Sequence, residues 1–395
     1  MSHEHSDLPI LVIGGGIGGV AAGVALTRAG FRCEVFERAS ELREVGAGIT
    51  MFSNAVHALG ELGLGEEIRA SGLAIESGVI GDERGRVLAT TPLAEISRNL
   101  GAPSVALLRA ELLALLVRAL PAERLHLGRA AIGFSEESEG VSVQFTDGSE
   151  VHGSLLVGAD GLRSLVRAKL HGDEPPKYSG YTCWRALGPW PARGLARGEA
   201  FERWGAGVRV GAVGLGQDRV YWFAARDAPS GGRDEDAKRE LMQLFGQWAA
   251  PVPELIERTN PDAIRRDDIS DRDPLRAPWG AGRVTLLGDA AHPMTPNLGQ
   301  GAALAIEDAV VLARTLAREG ADVLTREGAA APALRAYEAR RAPRARRITL
   351  EARRLGWMIH HKGWLARSIR DAGLRLLPDR VVQRRFEAEL RVDLS

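Results

Sequence analysis

Residues 14–19 read Gly14-Gly15-Gly16-Ile17-Gly18-Gly19, with an apolar, β-branched run before them (9–13) and an alanine-rich stretch after them (20–28). Glycine costs about 1 kcal/mol against alanine inside a helix, so regular structure does not run through this segment. The chain has to turn there, and what it joins is a buried strand to a helix. In such a unit Gly14 permits the sharp turn, Gly16 lets backbone approach a pyrophosphate, and Gly19 lets the helix pack closely on the strand, with Ile17 and Gly18 in the same phosphate-facing turn. The helix N-terminus offers free N–H groups and a positive dipole end to phosphate. A second strand-like run, 32–36, ends in Glu37, 18 residues after Gly19, where a ribose-binding carboxylate belongs, and Arg38 follows it. The alternative is a tight loop without a ligand, and strand, helix and Glu37 together favour a dinucleotide.

Composition removes several other classes. Residues 8–27 carry no charge over about the length of a membrane span, but six of them are glycine, and strand, turn and helix explain them better. The 51 basic and 51 acidic side chains cancel, so no global field is available for nucleic acid or an anionic membrane. The two cysteines, Cys33 and Cys183, exclude a disulfide framework, a thiol redox pair and a cysteine-based metal site, and no metal is expected. The N-terminus lacks a basic leader, so a cytoplasmic location is expected. At 395 residues the chain is long enough for two or three lobes.

Two later motifs complete the first. Ser154-Leu155-Leu156-Val157-Gly158-Ala159-Asp160-Gly161 is a buried strand running into a turn, followed by a helix over 163–170. Residues 283–293 form a strand ending in Gly288-Asp289-Ala290-Ala291-His292-Pro293, then Pro296-Asn297-Leu298-Gly299-Gln300-Gly301, then a long helix over 302–317. With Arg43, the Ala47-Gly48-Ile49 segment and the helix start at Arg109, these motifs resemble the FAD-dependent aromatic hydroxylases, the single-component flavoprotein monooxygenases of the para-hydroxybenzoate hydroxylase type. The resemblance implies one noncovalent FAD. Its adenosine end would lie at Gly14 to Glu37, Asp160 and Gly161 would serve both FAD and the NADH or NADPH encounter, and Arg109 would contact FAD. The Ala47 and Gly48 backbone would run along the flavin, Asp289 after Gly288 would accept from a ribityl hydroxyl, and Gly299 and Gly301 would open a helix toward the ring. Pro296 would sit close to the flavin. His292 reads as structural, since no partner is evident in the sequence.

No second GxGxxG follows a strand after residue 150, which fits the family's transient use of NADH or NADPH. The implied cycle is hydride transfer to FAD, capture of O2 as a flavin C4a-hydroperoxide and oxygen transfer to a small aromatic, heteroaromatic or conjugated substrate. Residues 178–223 hold nine of the 21 aromatic side chains, which suits either sheet propensity or a flat apolar pocket. Within them, Arg209 and Tyr221 on neighbouring strands (208–213 and 219–224) are the polar candidates for orienting an anionic or enolised ring. Their spacing resembles the urate hydroxylases, but that subgroup carries an aspartate where this chain has Asn297. A neutral amide is expected neither to act as an anionic base nor to pair strongly with Arg209, which argues against urate. No histidine lies between His171 and His292, so no counterpart of the salicylate-type base is visible, and Tyr221, water or the substrate itself is left to fill that role.

Residues 331–395 carry 16 basic against seven acidic side chains. A membrane-surface or nucleic-acid patch and a helical lobe with paired arginines are both open, and the interspersed acids and apolar residues favour the second. The expected fold is α/β: a Rossmann-like FAD-binding domain (1–71, 99–172, 272–330), a β-sheet substrate domain (72–98, 173–271) and a C-terminal helical region (331–395). The protein is expected to act as a monomer or homodimer on a small substrate, without nucleic acid or an integral membrane segment. A same-fold flavin oxidase or reductase without oxygen transfer, and a flavin-binding sensor, are the alternatives.

Overall fold

The structure is a computed structural model that describes residues 8–42, 47–137, 140–320, 322–326 and 328–394. Arg43 lies outside the described residues. In chain order the strands that build the site are β1 (Ile10–Ile13), β2 (Cys33–Phe36), β3 (Gly48–Met51), β4 (Ser77–Asp82), β5 (Val87–Thr91), β6 (Val105–Leu108), β7 (Leu125–His126), β8 (Leu155–Gly158), β9 (Lys177–Pro189), β10 (Glu199–Trp204), β11 (Val208–Gly216), β12 (Arg219–Asp227), β13 (Arg265–Asp271) and β14 (Val284–Leu286). The helices that matter are α1 (Ile17–Arg28), α2 (Leu165–His171), α3 (Ala237–Phe245), α4 (Val252–Arg258), α5 (Gly301–Arg318), α6 (Ala330–Ile359), α7 (Trp364–Leu376) and α8 (Asp379–Leu390).

Strands β14, β8, β1, β2 and β7 form a parallel sheet in that order, the doubly wound layer expected from the glycine turn and its flanks. All four residues of β1, β2 and β8 are buried, as a sheet covered on both faces requires. Each of the three motifs leaves from the carboxyl end of a strand, and the three strands β1, β8 and β14 are adjacent. That edge is where open parallel sheets bind ligands.

A second, seven-stranded sheet runs β13-β9-β12-β11-β10-β4-β5, antiparallel except where β10 pairs with β4. Its faces divide by alternation. Trp184, Trp222, Phe201, Val210 and Ala212 point to one face and pack with Leu241, Phe245, Leu255 and Ile256 of α3 and α4 into a separate core. The registers Leu187↔Tyr221↔Val213 and Arg185↔Phe223↔Gly211 put Tyr221, Phe223, Arg185 and, two residues on, Arg209 on the other face.

The long helix α6 does not stand apart from the parallel sheet. Ala330, Ala333, Leu334, Tyr337, Ala342 and Ala345 belong to the same core cluster as β1, β8 and α5. Among the described residues no helix is long and apolar enough to cross a membrane.

Candidate functional site

The glycines of the first motif do two separate jobs. Gly14 has φ +113°, and a Cβ there would lie 2.3 Å from the carbonyl oxygen of Ala159; a Cβ on Gly19 would lie 1.8 Å from the Gly14 carbonyl. These two close the turn onto the middle motif and cannot carry a side chain. A Cβ on Gly16, or on Gly161 (φ +79°), would meet nothing within 4 Å, so both open onto free space. Gly18 packs toward the late motif, its Cβ position 3.0 Å from Leu287 and 3.1 Å from Ala305. Ile17, the first residue of α1, is buried beneath the turn. The structure thus brings the three motifs into one cleft whose floor is backbone.

Polar groups ring that cleft. Glu37 Oε2 accepts from the Gly15 N–H at 2.6 Å and Oε1 from Ala39 at 2.9 Å, which holds the carboxylate at the loop, and exposed Arg38 follows it. Asp160 accepts from the backbone N–H of Leu165 at 2.7 Å and from the Ser164 hydroxyl at 2.5 Å. Its carboxylate therefore also caps α2, with burial raising its pKa against these donors. Asp289 is accessible at the cleft floor yet closely ringed by protein, so crowding raises its carboxyl while His292 and Arg109 oppose the rise. Arg109 donates its N–H to the Ala47 carbonyl at 2.9 Å, and β3 pairs with β6 from Gly48↔Leu108 onward. Gly299 takes φ +64° after the short helical turn Pro296–Leu298, and α5 then begins at Gly301 rather than at Gly299, its N-terminus beside Asp289.

An extended dinucleotide fits this arrangement. Open glycines at Gly16 and Gly161, two helix N-termini and accessible Asp289 suit phosphates, ribityl hydroxyls and a flat ring in that order. Among the described residues no group of histidine, cysteine or carboxylate side chains could hold a metal ion.

The cleft and the seven-stranded sheet also meet at β3. A Cβ on Gly48 would lie 2.4 Å from Cβ and 2.5 Å from Cγ of Tyr221, so β3 passes directly over that side chain. Tyr221 bonds to Arg185, and burial pushes its phenol up. Next along the sheet, the Phe223 ring lies across Gly211, whose Cβ would sit 2.5 Å from the ring. The Arg209 guanidinium stands 5.3 Å from the centroid of Phe223. Arg209 and Tyr221 thus share a face but flank Phe223 rather than touch.

The expectation that Asn297 would not pair strongly with Arg209 does not hold. Asn297 Oδ1 accepts from Arg209 Nη2 at 2.5 Å and from the Tyr181 hydroxyl at 3.1 Å, while Nδ2 donates to Thr295 Oγ1 at 3.0 Å and to the Ala352 carbonyl of α6 at 2.9 Å. A guanidinium supplies the charge in such a bond, so a neutral acceptor suffices. Two donors and two acceptors fix which end of the amide faces which side, and an aspartate would set an oxygen against the Ala352 carbonyl. Gly356 makes room: a Cβ there would lie 2.3 Å from Asn297 Nδ2.

Beside this group is a cavity of about 700 Å³ lined by Tyr181, Asn297, Thr295, Asp227, Gly356 and His360 among others. Arg209 is 2% exposed and stands behind Asn297 and Tyr181. Burial pushes the Tyr181 phenol up to about 12 against the opposing charge of Arg209. His360 Nδ1 lies 2.6 Å from Asp227 Oδ1, its ring stacks on Tyr181 at 4.4 Å, and its Nε2 is buried without a hydrogen bond. Sequence reasoning missed Arg185, Tyr181 as an Asn297 partner, and the Asp227–His360 pair. The last two residues are 133 positions apart, and no local pattern joins them.

His292 has a partner the sequence did not reveal: its Nε2 lies 2.6 Å from Asp308 Oδ2 in the buried core. Asp308 also accepts from the Gly288 N–H at 3.0 Å and from Arg341 Nε at 2.6 Å, and Arg341 reaches Glu307 at 2.7 Å. His292 is therefore part of an ionic network that braces the late motif against α6, and several C-terminal arginines are spent inside it.

A family model described as FAD binding domain matches residues 7–352. The aurachin C monooxygenase/isomerase of Stigmatella aurantiaca is 44% identical over 388 residues, covering 98% of this chain and 98% of that protein. The FAD-dependent urate hydroxylase of Klebsiella pneumoniae subsp. pneumoniae is 36% identical over 357 residues, 89% of this chain and 90% of the relative. The crystal structure of Klebsiella pneumoniae HpxO complexed with FAD and uric acid superposes with a TM-score of 0.89 at 31% identity, covering 98% and 97% of the two chains.

Proposed function

The chain belongs to the FAD-dependent aromatic hydroxylase family of flavoprotein monooxygenases, and from that premise we propose that it uses NADH or NADPH to insert one oxygen atom of O2 into a flat, weakly acidic heteroaromatic or conjugated ring. FAD when bound supplies hydride acceptance and O2 activation at its C4a carbon. The FAD-holding residues we assign are Gly14, Gly16, Ile17, Gly18, Gly19, Glu37, Arg38, Ala47, Gly48, Arg109, Asp160, Gly161, Gly288, Asp289, Pro296, Gly299 and Gly301, with Arg43 carried over from the sequence alone. We likewise retain the division into cofactor domain, substrate domain and C-terminal region.

The observation that carries the reading is the Gly48–Tyr221 contact, which sets the aromatic face of the second sheet against the strand assigned to the flavin edge. On that face Phe223 supplies a flat apolar surface, and Arg209 and Arg185, already paired with Glu202 and Asp267, supply guanidinium donors for an enolised or phenolic ring. Asn297, itself bonded by Tyr181, and Glu202 hold Arg209 in place. At the wall of the neighbouring cavity, His360 pairs through Nδ1 with Asp227 and its ring lies against Tyr181.

Aurachin C is the first compound to test and urate the second, since the relatives named for them span nearly the whole chain. The assay follows NADH and NADPH oxidation and O2 uptake with these compounds and a panel of phenols, quinolones and purines, with mass spectrometry for one added oxygen. Hydrogen peroxide alone with every compound would place the protein with the oxidases or reductases of this fold.

A further inference from the structure

Helix α7 is built inside out. Two of its arginines turn toward the protein: Arg367 pairs with Glu83 at 2.9 Å, and buried Arg370 donates to the Ile359 carbonyl at 3.0 Å and lies over the Trp204 ring. Its apolar side chains turn outward, with Leu365, Ile369, Ala372 and Leu376, at i, i+4, i+7 and i+11, forming one exposed stripe. Leu376 is 82% exposed, Trp364 75% and, at the end of α6, Trp357 72%; Leu377 and Val381 extend the patch. Seven of the ten exposed large apolar side chains among the described residues fall within 357–381, a concentration that scattered surface residues do not produce.

The surroundings indicate what covers this patch. Exposed Arg354, Lys362, Arg375, Arg380, Arg384 and Arg385 border it, against exposed Asp379 alone over 354–385. A second copy related by a two-fold axis would set that cationic border against itself. Nucleic acid would leave the apolar stripe without a partner. A bilayer with anionic headgroups satisfies both parts, because Trp and Leu enter the headgroup boundary while Arg and Lys meet the lipid charge. The cavity is continuous with this face: Trp357, Lys362 and Gly363 line it together with Tyr181 and Asn297.

We propose that the face formed by residues 357–381 docks on the surface of an anionic lipid bilayer. Contact is peripheral, since no described helix can span, and it does not depend on the reaction assigned above. Docking places the cavity mouth at the lipid boundary.

The test is co-sedimentation of the full-length FAD-loaded protein with phosphatidylcholine vesicles, with and without phosphatidylglycerol. The protein should pellet with the phosphatidylglycerol vesicles and be released by salt. Replacing the stripe together (Trp364→Ser, Leu365→Ser, Ile369→Ser, Leu376→Ser) should lower binding by at least about tenfold. Arg380→Gln and Arg384→Gln should each lower it about fivefold on anionic vesicles only. Flavin content and the unfolding midpoint should not move in these variants, because the replaced side chains face solvent. Absence of binding to phosphatidylglycerol vesicles, or equal binding by the serine variant, overturns the proposal. So does a wild-type dimer in sedimentation equilibrium that the serine variant dissociates while neither binds vesicles, which would assign the face to a second copy.

Discussion

The cleft assigned to the cofactor and the face assigned to the substrate are made of different material. The cleft is backbone: Gly14 and Gly19 close it, Gly16 and Gly161 open it, and helix ends and a few carboxylates finish it. The substrate face is a set of side chains from distant segments, in which Asn297 joins Arg209, Tyr181 and Ala352 through one amide. A backbone site tolerates no change at its closing glycines, because no rotamer can move a clash with a carbonyl. A side-chain site fails one function at a time, because each member can be removed while the fold persists.

The largest effect that would test this contrast is Gly19→Val. Its Cβ would overlap the Gly14 carbonyl, and the expected result is protein without flavin that is destabilised by more than about 3 kcal/mol, read from FAD content and urea unfolding. A yellow, stable variant would mean that the turn is more adaptable than its geometry implies.

Next is Arg341→Met, which strips Asp308 and Glu307 of a buried partner and should cost about 3–5 kcal/mol. Burial works to raise the Asp308 carboxyl, but His292 and Arg341 overcome it and hold it down at about 2. An unfolded aspartate titrates at about 3.9, so this group stabilises the fold fully above that value and loses the contribution as pH falls toward about 2. The urea midpoint of the wild type should therefore drop steeply from about pH 4 downward, and Arg341→Met should show a shallower drop.

Arg209→Ala should retain FAD and lower kcat/KM by about 10- to 100-fold on any accepted substrate, since it removes a charged donor without touching the cleft. Loss of FAD in this variant would break the separation between the two halves. The smallest effect expected is for Asn297→Asp. Its carboxylate would strengthen the pairing with Arg209 but face the Ala352 carbonyl, a net cost of about 1–2 kcal/mol with FAD still bound. A more stable Asn297→Asp protein would show that α6 can yield at Gly356.

Much of the cofactor half was legible because its signals are local. A glycine run, a carboxylate at a set distance and a strand ending in Asp289 all act within a few residues of where they are read. Even there, the helix-capping use of Asp160 and the Asp308 partner of His292 became visible only in three dimensions. The substrate half was legible only as composition. Alternation along 178–223 separates the aromatics into two sets, and the structure sends Trp184, Trp222 and Phe201 to a helix-packed core and Tyr221 and Phe223 toward the cofactor strand. The arginine surplus after residue 331 read as a paired helical lobe; Arg341 and Arg344 are indeed paired, whereas the outward apolar stripe of α7 requires knowing which side of that helix the protein covers.

By itself the sequence determined the strand–turn–helix units, the order of the three motifs and the family they mark, because φ-permissive glycines and buried β-branched runs leave the chain few local options. Which sheet face meets β3, that Asn297 joins Glu202 in holding Arg209, and that His360 pairs with Asp227 were decided by packing between segments as far apart in the chain as Gly48 and Tyr221. Those contacts depend on how layers dock, and docking is set by the summed burial of whole faces rather than by any local pattern of residues.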